Sequence, residues 1–168
     1  GAAQPQRWFQ VLAECGGLTP WLEELTSATT HQFDSGTSEQ RFALLPWSMA
    51  NLQRLAKRLR IPKHYLQLAT DRLLYGDVLC SYPWSAGQAL ELLGALIDLQ
   101  VLHDGSRCQR LMQALGLDTV GPSDEVFNDI RLGLRDIQLP ADHNLAGSAY
   151  GEALNQLRLT WLQNYLAR

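Results

Sequence analysis

Apolar residues recur at helical spacing along almost the whole chain. After Pro5, the positions Trp8, Phe9, Val11, Leu12 and Cys15 share one face, and Gly16-Gly17 stops the run. A short segment, TPWLEEL, follows, and the polar, turn-rich stretch 26–37 predicts a loop. Thr37 and Gln40 have the spacing of a capping box for a helix carrying RFALL, which Pro46-Trp47 breaks. Ser48 predicts a cap for a helix whose apolar face is Leu52, Leu55, Ala56 and Leu59. Pro62 opens a further helix, PKHYLQLATDRLLYG, with Gly76 as its expected end. Beyond a break at Tyr82-Pro83-Trp84, Ser85 and Ser106 are expected to cap two more helices, the second closed by Gly116. Gly121-Pro122 leads into a helix reaching about Ile137. Pro140 to Asn144 predicts a turn. The last helix starts near Ser148 and carries Tyr150, Ala153, Leu154, Leu157, Trp161, Leu162 and Tyr165 as its stripe.

No run alternates with period two for long enough to make a strand. The pattern therefore predicts an all-α helical bundle of about eight or nine helices. Residues 1–80 are expected to form a helical body and 81–168 a helical tail, with one continuous domain as the alternative.

Composition narrows the class. The 168 residues are 46% hydrophobic and 18% charged, as in soluble globular proteins. The apolar stretches are too short for a transmembrane span. GAAQPQRWF has no charged-then-apolar signal pattern, so a cytoplasmic protein is expected, with Gly1 as a tag remnant. Cys15, Cys80 and Cys108 are scattered and odd in number, which predicts reduced, mostly buried thiols rather than a disulfide framework or a zinc site. The net charge of −3 means that any contact with nucleic acid must come from a local patch.

The chain has no GxxxxGK[ST], GxSxG or HExxH, and no GxGxxG after a strand. His103-Asp104 in VLHDGSRC reads either as part of a metal site or as a turn with a helix-capping Asp. The turn is preferred, because His31, His64 and His143 supply no partner at i, i+4. RLAKRLRIPK has five basic residues in ten, namely Arg54, Lys57, Arg58, Arg60 and Lys63. On a helix Arg54 would neighbour Arg58, and Lys57 would neighbour Arg60. The cluster is either a phosphate-holding surface or a solvated helix face. Trp47 and Trp84, beside prolines, are read as packing residues, with a stacking surface as the alternative.

PQRWFQVLAECGGLTPWLEEL resembles the segment opening the C-terminal HD-type region of bacterial CCA-adding tRNA nucleotidyltransferases, with Pro5, Phe9, Val11, Leu12, Cys15, Gly16 and Leu18 on the pattern. RFALL, KRLRIPKHYLQLA and LAGSAYGEALNQLRLTWL are similar to later motifs of that family, in the same order. In the family, the motif matched by RFALL runs into a His-Asp pair that binds a metal for phosphohydrolase activity. Here Pro46-Trp47 stands at that pair. A later family histidine falls near Gly76, with Asp77 beside it. Pro, Trp and Gly offer no side-chain ligand.

The resemblance therefore implies a degenerate HD-domain-like fold without metal, cofactor or catalysis of its own. The Gly-rich strand-turn and Asp-x-Asp pair of the family's nucleotidyl-transferring head do not occur in this chain. Because residue 4 begins about where the family's neck ends, a piece of a longer enzyme is the expectation. Its implied partner is tRNA, with Arg54, Lys57, Arg58, Arg60 and Lys63 as the expected contacts. A metal phosphohydrolase and a stand-alone interaction or dimerisation domain are the alternatives.

Overall fold

A computed structural model describes Val11, residues 14–17, 36–140 and 145–168. Regular structure among them is helical throughout. Seven α-helices follow in order: α1 (Ser38–Ala43), α2 (Met49–Arg58), α3 (Lys63–Cys80), α4 (Ala89–Asp98), α5 (Ser106–Ala114), α6 (Asp124–Asp136) and α7 (Ser148–Leu166). A short 3-10 turn, Ala86–Gln88, precedes α4. Of the first expected helix, Val11 and Glu14 are helical and Gly16 adopts φ +67°, the left-handed conformation that ends a helix. Trp8, Phe9, Leu12, the TPWLEEL segment, loop positions 26–35 and turn positions 141–144 lie outside the described residues.

The chain divides into two compact units, Gly1–Asp77 and Val78–Arg168, and the division falls inside α3. In the first unit, the Thr37 hydroxyl accepts from Gln40 N–H at 3.3 Å, and Thr37 N–H donates to Gln40 Oε1 at 2.7 Å. These two bonds form the capping box that starts α1. The Ser48 hydroxyl accepts from Asn51 N–H at 3.1 Å and starts α2. Leu52 and Leu55 are buried on the inner face of α2, whereas Leu59, expected on that face, is 42% exposed beyond the helix end. Phe42 of α1 packs between Trp47 and Tyr65 of α3, with ring centroids 5.1 and 5.7 Å away.

In the second unit α7 is the spine, packed against the 3-10 turn, α4 and α6. Its stripe is only partly covered: Leu162 is fully buried, but Tyr150 and Leu157 remain exposed. Leu92, Leu96, Leu99, Leu111, Ile130 and Leu134 complete the core. Gly133 lets α6 approach α7, since a Cβ there would lie 2.0 Å from Trp161 Cζ2.

Three local expectations are corrected. Gly76 does not end α3. It is a buried helical residue, and the helix runs on to Cys80. Ser106 is not the cap of α5 but a residue being capped: the Asp104 carboxylate accepts from Ser106 N–H at 3.0 Å and from its hydroxyl at 2.8 Å. Of the cysteines, Cys108 is buried, but Cys15 and Cys80 are exposed, and all three are free thiols.

Candidate nucleic-acid interface

The five clustered cations occupy a corner between two helices rather than one helical face. α2 ends at Arg58, and Leu59 is extended at φ −115°, ψ 144°. The helix cannot run through this stretch, because Pro62 disfavours the α conformation at Ile61 and offers no N–H. A short link follows, with Ile61 N–H bonded to Leu59 O at 2.9 Å, and Lys63 begins α3. Arg54, Lys57 and Arg58 thus lie on α2, Arg60 on the link and Lys63 at the start of α3. The expected helical pairing of Lys57 with Arg60 is not formed, because Arg60 has left the helix. All five side chains are exposed, and so is neighbouring His64.

Part of this charge serves the helix itself. Lys57 and Arg58 stand in the last turn of α2, where the helix macrodipole presents partial negative charge. Arg54 and Arg58 also interact within the protein. Arg60 and Lys63 stand outside that turn, and there the macrodipole supplies no reason for positive charge.

Pro46-Trp47, set beside this corner in the sequence, is a structural joint. Trp47 is 5% exposed. Its indole N–H donates to Phe42 O at 2.8 Å, at the end of α1, where the same carbonyl also accepts from Leu45 N–H at 3.3 Å. Pro83-Trp84 repeats the device. Trp84 is buried, and its indole N–H donates to Val78 O at 2.7 Å, in the last turn of α3. In both places a serine follows at once and opens the next element. Ser48 caps α2, and Ser85 joins Gln88 in a reciprocal box at the 3-10 turn. Both tryptophans are therefore packing residues, not stacking surfaces. The joint carries a sequence signal that helical periodicity does not register: the tripeptide Pro-Trp-Ser stands twice, at 46–48 and 83–85.

His103 is exposed, and Asp104 is committed to its turn. Those two bonds from Ser106, backbone first, hold the Asp104 carboxyl below its ordinary value, with a smaller contribution from Arg110. Asp104 borders a cleft of about 390 Å³ between α5 and α6, together with Gln109, Asp124, Phe127, Asn128 and Arg131. Among the described residues no three His, Cys, Asp or Glu side chains gather to hold a metal ion, and no helix is long and apolar enough to cross a membrane. His31 and His143 lie outside those residues. In comparisons with known proteins, the chain matches no family model, no curated protein and no solved structure.

Proposed function

We propose that this chain is a non-catalytic, tRNA-holding helical region of a CCA-adding-type nucleotidyltransferase. In this reading it grips the tRNA body in the cytoplasm, while a separate nucleotidyl-transferring head adds CMP and AMP to the 3′ end. Its contribution is positioning. The observation that carries the reading is the exposed cationic corner of Arg54, Lys57, Arg58, Arg60 and Lys63 in a protein of net charge −3. Cations brought together in this way displace counterions from a nucleic-acid backbone. The order of family-like motifs along the sequence supports the choice of RNA. The position of the family's metal-binding pair is held by Pro46 and a buried Trp47, and that of the later histidine by Gly76, so no ligand is available there.

The test is a fluorescence titration of labelled tRNA at two salt concentrations. It compares the chain with a variant carrying Arg54→Glu, Lys57→Glu, Arg58→Glu, Arg60→Glu and Lys63→Glu. The expected result is an affinity lower by about tenfold or more and a flatter dependence on salt. Equal affinity and equal salt dependence would remove the corner from the interface.

A further inference from the structure

The two units differ in charge. The first holds eight Lys and Arg against seven Asp and Glu, and the second holds six against ten. Within the acidic second unit, α4 and α7 leave a groove of about 360 Å³ between them. Its walls are mostly apolar, from Leu90, Leu93, Ile97 and Leu159, and Glu152 is the charged residue among its lining. Leu90 is 67% exposed at the lip of the groove. One turn further along α4, Gly94 leaves a notch, and a Cβ there would meet no atom within 4 Å.

We propose that this groove docks a basic amphipathic helix of a protein partner. An apolar trough between two helices, with a vacant notch one turn from a protruding leucine, accepts side chains spaced i, i+3 and i+4. The polar face of such a helix would meet Glu152 in the groove wall. Lys and Arg complement that carboxylate, whereas Asp and Glu would be repelled by it and by the excess negative charge of the unit. The same charge argues against a second copy of this face, because an isologous pairing would bring like carboxylates together.

The probe is a fluorescein-labelled synthetic peptide of about 18 residues, all Leu and Lys, with leucines on one helical face. Its control has the same composition, scrambled so that the leucines surround the helix. The expected result is saturable binding of the amphipathic peptide to the full chain, weakened about tenfold by scrambling, by Gly94→Leu and by Glu152→Lys. Gly94→Leu fills the notch at an exposed helical position, so the fold tolerates it. Equal binding of the scrambled peptide, or indifference to Gly94→Leu, would overturn the proposal. So would a dimer in solution that Gly94→Leu dissociates, since the groove would then belong to a second copy.

Discussion

Trp47 and Trp84 each satisfy a backbone carbonyl near a helix end through the indole N–H, at 2.8 and 2.7 Å. Phenylalanine keeps most of the apolar ring but cannot donate. Trp47→Phe should therefore lower unfolding free energy by about 0.5–1.5 kcal/mol in urea titrations, because the Phe42 carbonyl loses the shorter of its two hydrogen bonds. Glycine substitutions separate two cases that look alike in sequence. Gly133→Ala drives a methyl group into the Trp161 ring and should cost about 1–3 kcal/mol. Gly94→Ala meets open space in an exposed helix and should stabilise by about 0.8–1 kcal/mol. Asp104 gives a pH signature. Its folded-state pKa is lowered, so in acid the unfolded chain takes up this proton first. The stabilisation is present above the ordinary value of 3.8 and is lost as pH falls through the lower folded value. Asp104→Asn should accordingly lose less thermal stability on acidification than the parent, read as the slope of Tm against pH.

At the scale of elements, helix ends decide most of what can be predicted. α4 and α5 close in the same way. Gln100 N–H bonds Ile97 O and Val101 N–H bonds Leu96 O, while Gly116 N–H bonds Gln113 O and Leu117 N–H bonds Met112 O. Gly116 takes φ +69° freely, whereas Gln100 takes φ +58° against its Cβ. Gln100→Gly should raise the stability of the protein by about 1 kcal/mol, measured by urea midpoint at constant slope. Thr37→Ala should remove half of the box that starts α1 and cost about 0.5–2 kcal/mol. The same elements show what was legible in advance. Thr37 with Gln40, and Ser48, were readable because capping is a contact within one turn. Gly116 was readable as a stop, but Gly76 was misread, since glycine permits a left-handed turn without requiring one. Gln100 carried no signal, because packing around Leu99 and Val101, not residue preference, holds it there. The end of α2 was within reach of sequence reasoning, through the restriction that Pro62 places on Ile61.

Across the whole molecule, positive charge is concentrated in one stretch of the first unit, and the second unit is acidic. If polyanion binding follows that partition, replacing Arg110 and Arg135 with glutamate should leave tRNA affinity nearly unchanged in the titration described above. Replacing Arg60 and Lys63 should weaken it. Composition made the cluster visible as five cations in ten residues. Its folding around a corner was not visible, because that depends on where α2 releases the chain. The groove between α4 and α7 left still less trace. Leu90 and Gly94 sit in a run of apolar residues, and only the packing of α7 shows which of them are left uncovered.

The Pro-Trp-Ser joint at 46–48 also restricts which residues positions 46 and 47 can take. Trp47 fills interior volume and donates to the carbonyl of Phe42, and Ser48 starts α2 directly behind it. Writing histidine and aspartate into positions 46 and 47 would bury an ionisable group, empty the space of an indole and remove one of the two hydrogen bonds to Phe42 O in one step. Such a variant should lose stability without gaining a metal ion. The helices on either side of the joint lean on the tryptophan, so ligand side chains could be placed there only by repacking those helices.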